Sequence, residues 1–569
     1  MAIAQPVWSR VDEAQHADFI IQLSHGIYPA ANATAIDHET LKVMELTGVY
    51  SVFSPGTYPT PDPTDIGPPP AGMTSHVNAA WMSRHLWSLS IESVQTPFFY
   101  MAMVPVWSLV DQIGGPLAAI YAIRIICALL VATLAPMTIA AARTLFPSRP
   151  EVASLSALLA ILLPGLDLNA TRISNDALAT AVGGLFVLLA IRSTGTTWTW
   201  RRAALMGLLL GVGMMVKVTL AGLAPALVLA AILPAVDISP MARIGHAAAS
   251  GLLALLCLVP WFLVNLRIYG AFTPGALANR LSAVEPGPVT AAFIPFNLAV
   301  FHLTYWTGEP WGVLPLGLPF AILGGLIALS SLVGLLAVYR QGGLRAFRGP
   351  ISVAVLAILG LAGVGLLLPV TSGYEFASPG RYAYPALPAS ASLCALGIVT
   401  VLKRPAIRRI AAVAYTLVAA GMLGAGALGL PAPAEPGPGK PPTDAKMIAV
   451  AGSGRFGGVT ISVDGIALDA PARATWFEVR LSNTGPSEAE WTVPVASPGG
   501  VSAQYFKSTR LPGDVDSGRT VSGWLWVPLD PRTLYEGESI RLRFPDVAPG
   551  GYASVGDIDV DIVLSGLTN

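Results

Sequence analysis

Residues 117–142 read LAAIYAIRIICALLVATLAPMTIAAA, and Arg143 and Arg149 follow them. A helix needs about 20 largely apolar residues to cross the hydrocarbon core of a bilayer. Basic residues just beyond one end of such a run mark the cytoplasmic side. This stretch therefore predicts a membrane span whose C-terminal end lies in the cytoplasm.

Working outward, the pattern repeats. Spans are expected at roughly 117–142, 151–167, 176–192, 203–216, 218–235, 246–265, 313–339, 350–370, 383–402 and 409–430. Arg192, Arg201 and Arg202 follow the third and Arg243 the fifth. Arg340, Arg345 and Arg348 follow the seventh, and Lys403, Arg404, Arg408 and Arg409 the ninth. Every second connection is basic, so the alternate connections 168–175, 265–311 and 371–381 are expected outside the cell. The same alternation places residues 1–96 and everything after 430 outside. The chain thus reads as a multi-pass protein of the cell membrane, with its N-terminal loop region and C-terminal domain extracytoplasmic. Such a loop region is normally delivered by a preceding helix, so a further upstream helix is expected.

Composition agrees. The 569 residues are 53% hydrophobic but only 12% charged, against about 25% charged in a typical soluble domain, and mean hydropathy is +0.62. The formal net charge is zero, which argues against a nucleic-acid partner because that surface needs clustered cations. Cys127, Cys257 and Cys394 all lie in apolar runs and imply neither a disulfide framework nor a structural metal site.

The flanks differ in kind. Residues 1–96 hold short apolar runs broken by Pro and Gly and read as a loop region with short helices. Residues 97–112 are apolar and aromatic but too short for a clean span. They are expected as an interfacial helix, turning at 113–116. Residues 431–444 are rich in Pro and Gly and read as a stiff spacer. Beyond it, 458–463, 475–481, 502–506, 521–527, 539–544 and 558–563 alternate polar and apolar residues between turn residues. That spacing predicts a β-sandwich over 445–569.

Charges beside membrane spans are costly and usually functional. The polar stretch Val11-Asp12-Glu13-Ala14-Gln15-His16-Ala17-Asp18 stands on the expected outer face with Arg172, Asn175, Asp176, Lys217, Arg267 and Arg381. Carboxylates beside cations suit one reaction class. An Asp or Glu takes the proton from an acceptor hydroxyl while Arg or Lys holds the departing phosphate of a lipid-linked donor. Each residue also has an ordinary structural reading. Asp12 and Glu13 can cap a helix, as can Asp176. Lys217 can snorkel, and Arg381 can anchor a loop at the interface. His16 follows Asp12 by four residues and so shares its helical face. Asp12, Glu13, His16 and Asp18 could hold a divalent cation, although no zinc-type spacing is present. Asn32-Ala33-Thr34 and Asn169-Ala170-Thr171 match the glycosylation pattern.

As an ordered set the motifs resemble the multi-spanning GT-C glycosyltransferases, most nearly the membrane-protein family labelled domain of unknown function 2142. The likeness rests on the Asp12-Glu13-x-x-His16 start and Gln95-Thr96-Pro97-Phe98-Phe99-Tyr100. It continues with Arg172 to Leu178, Trp261 to Asn265 with Arg267 and Tyr269-Gly270, Trp311-Gly312, and Gly380-Arg381-Tyr382 with Pro385. It covers about residues 8–430. Pro97-Phe98-Phe99-Tyr100 departs from the usual Pro-Pro-Leu-Tyr-Tyr. The resemblance implies a GT-C-like helical fold and a polyprenyl-phosphate sugar as donor. It implies Asp12 or Glu13 as base, with the Asp176 loop completing the site. Together with the outer-face charges this makes His16, Arg172, Asn175, Asp176, Lys217, Arg267, Arg381 and Tyr382 the expected substrate-binding residues. The partners would then be membrane lipid, the lipid-linked sugar and a cell-envelope glycan acceptor. A lipid-linked glycan transporter would instead show paired half-chain repeats and mid-bilayer charges. A non-catalytic envelope-assembly protein would have no reason to converge carboxylates and arginines.

Overall fold

The computed structural model describes residues 13–31, 34, 37, 39–40, 43, 90–194, 196–233, 239–274, 293–308, 317–342, 349–372, 379–427, 441, 445–469, 474–485, 489–490, 495–498, 504–505, 508–509, 514–515, 517–527, 539–549 and 556–564. The chain divides into two compact units. One comprises residues 1–31, 90–279 and 284–432; the other comprises 32–89, 280–283 and 433–569.

The first unit is helical. Its helices are α1 (Glu13–Ser24), α2 (Phe98–Ala132), α3 (Leu134–Leu145), α4 (Pro150–Ile161), α5 (Pro164–Ala170), α6 (Asn175–Ser193) and α7 (Trp200–Val216). They continue with α8 (Ala224–Ile232), α9 (Pro240–Tyr269), α10 (Phe293–Thr307), α11 (Gly317–Gly342), α12 (Pro350–Ser372), α13 (Leu387–Val401) and α14 (Pro405–Ala427). Among the described residues, seven helical segments are long and apolar enough to cross a membrane. This makes the first unit a multi-pass helical membrane domain.

Two of the ten expected spans, 151–167 and 218–235, are shorter than foreseen, each for a local reason. The segment expected at 151–167 breaks at Leu162 ahead of Pro164, leaving α4 at 12 residues. Proline opens α5, where its missing N–H costs nothing. The segments at 203–216 and 218–235 are the 17-residue α7 and the 9-residue α8. They are parted by extended backbone at Lys217 and a 3-10 turn over Val218–Leu223. Helix α2 is interrupted at Gly115 (φ 80°, ψ 172°), just before Pro116. Glycine tolerates that φ, and a residue preceding proline is pushed out of the helical region. The break separates residues 98–114 from 116–132.

Burial sorts the helices. The most apolar windows of α6 and of Gly380–Val401 are 72% and 67% buried, whereas those of α9, α11 and α14 are 22%, 22% and 17%. The first pair therefore forms the centre of the bundle, and the other three turn apolar side chains outward, as lipid contact requires. Glycines allow the close crossings. A Cβ on Gly360 of α12 would meet the Gly222 carbonyl, and one on Gly207 of α7 would meet the backbone of Ser250 in α9. Small residues at such crossings let membrane helices pack by backbone contact. Gly360→Val should therefore lower stability by about 1–3 kcal/mol, the usual cost of overpacking. Denaturation in detergent would measure it, and an unchanged midpoint would show that the crossing is loose.

The second unit carries two antiparallel sheets. The first has the order β1 (Lys446–Phe456), β2 (Val459–Asp469), β3 (Ala474–Asn483), β9 (Thr520–Val527), β7 (Ser508–Thr509). The second runs β6 (Gln504–Tyr505), β5 (Val495–Pro498), β10 (Ser539–Pro549), β4 (Ala489–Glu490), β8 (Asp514–Val515), with β11 (Gly556–Val563) also pairing β10. Ile461, Val463, Phe477, Val479 and Leu525 of the first sheet share one core with Ile540, Leu542, Phe544, Val560 and Ile562 of the second. That shared core is what the alternating pattern predicts, since every second side chain points to the same face. Neither sheet closes on itself. Strand β1 was not expected, because Gly452 and Gly454 interrupt its apolar alternation.

Candidate functional site

The polar N-terminal stretch begins to be described at Glu13; Asp12 lies outside the described residues. Glu13 opens α1, which packs against α2. Its carboxylate is held by Arg124 of α2 in two-point geometry, Nε to Oε1 at 2.7 Å and Nη2 to Oε2 at 2.6 Å. The backbone N–H of Ile173 also donates to Oε1 at 2.9 Å. Both side chains are 0% exposed. Glu13 thus ties α1, α2 and the connection before α6 together, and a carboxylate so fully engaged has no face left for a substrate. The expectation that Glu13 could act as base meets this geometric obstacle.

One turn on, His16 is buried. Its Nδ1 lies 2.7 Å from the Tyr100 hydroxyl and 3.6 Å from Glu92 Oε2. Burial, and secondarily the positive charge of Lys217, hold its pKa well below the ordinary imidazole value of 6.5, so the ring is neutral at pH 7. The unfolded chain takes up a proton as pH falls below about 6.5 while the native ring does not. Stability should therefore drop from pH 7.5 to 5.5, and His16→Gln should flatten that slope in melts at the two pH values. A parallel slope in the variant would remove the assignment. Among the described residues, Glu13, His16 and Asp18 of the expected divalent-cation set do not converge. Glu13 is occupied by Arg124, and Asp18 is turned roughly 140° from it around the helix.

The connection before α6 brings the next group. Asp176 is in the first turn of α6. Its Oδ1 is 2.5 Å from Lys217 Nζ, and its Oδ2 is 3.3 Å from Arg381 Nε. Lys217 reaches it because α7 ends there: the residue's φ is −155° and its ψ 116°. Lys217 Nζ also stands 5.2 Å from the centre of the Tyr382 ring, a distance at which the aromatic face attracts a cation. Arg381 and Tyr382 lie on the 3-10 turn Gly380–Ala386. That turn is pinned to α10, since the Gly380 N–H donates to Thr304 Oγ1 at 2.7 Å. The Tyr384 hydroxyl donates to the carbonyls of Thr304 and Tyr305. Asn175 Nδ2 donates to the Val216 carbonyl at 3.2 Å and fixes the chain beside Lys217. Arg172 is buried, donating to Asn169 Oδ1 at 2.5 Å.

The structure therefore assembles Asp176, Lys217, Arg381 and Tyr382, with Asn175 tethering the Lys217 segment. His16 and Arg172 are close enough to be felt electrostatically by this group. Arg267 stands apart. It is exposed in the last turn of α9, where a cation complements the helix dipole. No described contact joins it to Asp176. Asn169 is 2% exposed and bonded to the Gly165 carbonyl, so this site offers no surface for a glycan. Asn32 lies outside the described residues.

Arg124 is expected among the outer-face charges, but its pairing with Glu13 is not foreseen, and neither are Tyr100 and Thr304 as site partners. Arg124 had a usable signal, because a cation inside an apolar run implies a buried acid opposite it. Thr304 had none in the sequence. The cluster brings Lys217 and Arg381 onto Asp176, with Arg172 near enough to act on the same carboxylate. Cations gathered in this way suit an anionic ligand.

No family model matches this chain, and no curated protein matches it. Solved structures do show partial likeness. ArnT from Cupriavidus metallidurans bound to undecaprenyl phosphate is 13% identical with a TM-score of 0.41, over 69% of this chain and 56% of that one. The apo state of the same protein is 13% identical with a TM-score of 0.34, over 63% and 58%. The apo oligosaccharyltransferase of Archaeoglobus fulgidus is 14% identical with a TM-score of 0.33, over 59% and 46%. The chain spans about half the length of these structures, and all three TM-scores lie below 0.5.

Proposed function

We propose that this protein is a membrane glycosyltransferase of GT-C type. It moves a sugar from a polyprenyl-phosphate-linked donor to a cell-envelope acceptor at the extracytoplasmic face. The observation that carries the reading is the convergence of Lys217 and Arg381 on Asp176, with Arg172 and a neutral His16 nearby, at the ends of apolar helices. The ordered motif set resembling the family labelled domain of unknown function 2142 supports it from the sequence side. The donor's tail stays in the bilayer, which explains why the site sits on a membrane domain.

The roles follow from chemistry. The acceptor hydroxyl gives its proton to a carboxylate, its oxygen bonds to the anomeric carbon, and the bond from that carbon to the phosphate oxygen breaks. The departing phosphate gains negative charge. Arg381 and Lys217 meet it with charge-assisted hydrogen bonds. Asp176 holds those cations in place, and Asn175 and Tyr382 position the Lys217 ammonium. Asp12 is assigned as the base, because its neighbour Glu13 is consumed by Arg124. His16 hydrogen-bonds the acceptor, and the two-sheet unit is assigned as a β-sandwich that orients the glycan.

Purified protein assayed with polyprenyl-phosphate sugars and an envelope glycan should transfer sugar. Asp12→Asn should lose about 10²–10⁴-fold in turnover, the usual contribution of a positioned base. Turnover equal to wild type in Asp12→Asn would remove Asp12 as base, and no transfer by any wild-type preparation would remove the enzyme reading.

A further inference from the structure

The 3-10 turn Ile91–Val94, which precedes α2, touches two parts of the candidate site. Glu92 Oε2 stands 3.6 Å from His16 Nδ1. One residue past the turn, Gln95 Oε1 accepts from Asn175 Nδ2 at 3.4 Å, and Asn175 is the neighbour of Asp176. The turn also packs against α1. None of the hydroxyls on this segment takes part in the transfer proposed above.

Those hydroxyls are out of water and unengaged. Ser90 and Ser93 are 0% exposed and Thr96 is 1% exposed, and their side-chain oxygens have no hydrogen-bond partner among the described residues. Ser174, just before Asn175, is buried in the same state. Two of these serines hold N-cap positions, Ser90 before the turn and Ser174 before α6, and neither caps. A serine at such a place normally accepts from an N–H of the first turn. Gln15, the residue before His16 in α1, goes further: it is 1% exposed and both atoms of its carboxamide lack a partner. A buried polar group left unpaired costs free energy, and native folds keep few of them. Five such residues lie on this segment or next to the residues it touches.

Their chemistry identifies the kind of ligand. All five are uncharged, and every hydroxyl or carboxamide both donates and accepts. A phosphate offers acceptors alone and is served by cations, which here are Lys217 and Arg381. A neutral sugar ring presents several hydroxyls, each able to donate and accept in turn. In a lipid-phosphate sugar that ring is bonded directly to the phosphate. The segment is tied to Asn175, beside the Asp176 carboxylate on which Lys217 and Arg381 converge.

We propose that residues 90–96, with Ser174 and Gln15, recognise the hydroxyls of an uncharged donor sugar. This rests on the glycosyltransferase reading and adds to it the class of sugar. The unpaired groups are a standing cost to the fold that the bound sugar offsets.

Native mass spectrometry of the full chain in detergent tests this with polyprenyl phosphate and its glucosyl, mannosyl, galactosyl and glucuronosyl forms. Wild type should hold at least one of the three hexosyl lipids about tenfold more tightly than the bare lipid phosphate, as two neutral hydrogen bonds would give. The charged glucuronosyl lipid should bind less well than that hexosyl form. The triple variant Ser90→Ala, Ser93→Ala, Thr96→Val should erase the hexosyl advantage while binding the bare lipid phosphate as wild type does, and Gln15→Leu should reduce the advantage. Without lipid the triple variant should melt no lower than wild type, because replacing an unpaired buried hydroxyl by an apolar group removes a cost. A markedly lower melt would make the hydroxyls structural and overturn the proposal, as would an unchanged hexosyl advantage. A variant that keeps that advantage but loses binding of free maltose would assign the hydroxyls to the acceptor instead. Equal binding of the bare and hexosyl lipids by wild type would overturn this proposal alone. Binding of none of them would remove the transferase reading, and this one with it.

Discussion

Glu13→Ala is expected to cost about 3–5 kcal/mol of stability, the largest effect of any single substitution in the helical unit. Removing one partner of a buried ion pair leaves the other charge desolvated without compensation. Here that charge is Arg124, which is 0% exposed. The same substitution deprives the Ile173 N–H of its acceptor, and an orphaned buried donor adds roughly 1–3 kcal/mol. Against a typical total of about 5–15 kcal/mol, most of the folded population of a marginal protein could be lost. The double variant Glu13→Leu, Arg124→Met should recover much of the deficit, because a well-packed apolar pair can replace a buried salt bridge. The check is chemical denaturation in detergent of wild type, both single variants and the double. A Glu13→Ala midpoint equal to wild type would mean that the pair contributes nothing.

Lys217→Met should preserve the fold better but remove the transfer reaction. Methionine keeps most of the length and apolar bulk of lysine, so the end of α7 and its tie to Asn175 survive. The variant loses the ammonium that stands 2.5 Å from Asp176 and over the Tyr382 ring. If that cation receives charge on the departing phosphate, turnover should fall about 10²–10³-fold, as when one preorganised transition-state donor is removed. Arg381→Lys should fall less, since charge remains while the planar fork is lost. Steady-state kinetics with a polyprenyl-phosphate sugar would decide. Wild-type turnover in Lys217→Met would place the phosphate elsewhere.

These two experiments separate roles that look alike in the sequence. Asp12 and Glu13 are adjacent acids before a histidine, and nothing in their order says which one is structural. The answer depends on Arg124, 111 residues away. The four-residue spacing puts Asp12 and His16 on one helical face; Asp12 lies outside the described residues, and the His16 Nδ1 meets the Tyr100 hydroxyl and Glu92, which no spacing in the sequence announces. In sequence Lys217 reads equally as snorkelling or as a substrate contact, and the break at the end of α7 aims it at Asp176. Arg267 went the other way, a plausible ligand by position that stands exposed at a helix end. The expected resemblance to GT-C enzymes rests on ordered short motifs, and no family model matches the chain.

Sequence alone determined the properties that are sums over local composition. Long apolar runs, basic connections and the change to two-residue alternation after 445 were enough for a helical membrane domain and a separate β domain. Each of those signals needs only nearby residues, because a bilayer or a sheet face selects on hydrophobicity and period. Tertiary structure decided what depends on contacts between distant segments. It set which runs are long enough to span, which helices sit centrally, and which charges are paired out of water. It also set which cations Asp176 gathers from residues 217 and 381. The physical reason is that a buried charge takes its role from the partner that compensates it, and that partner lies far away in the chain.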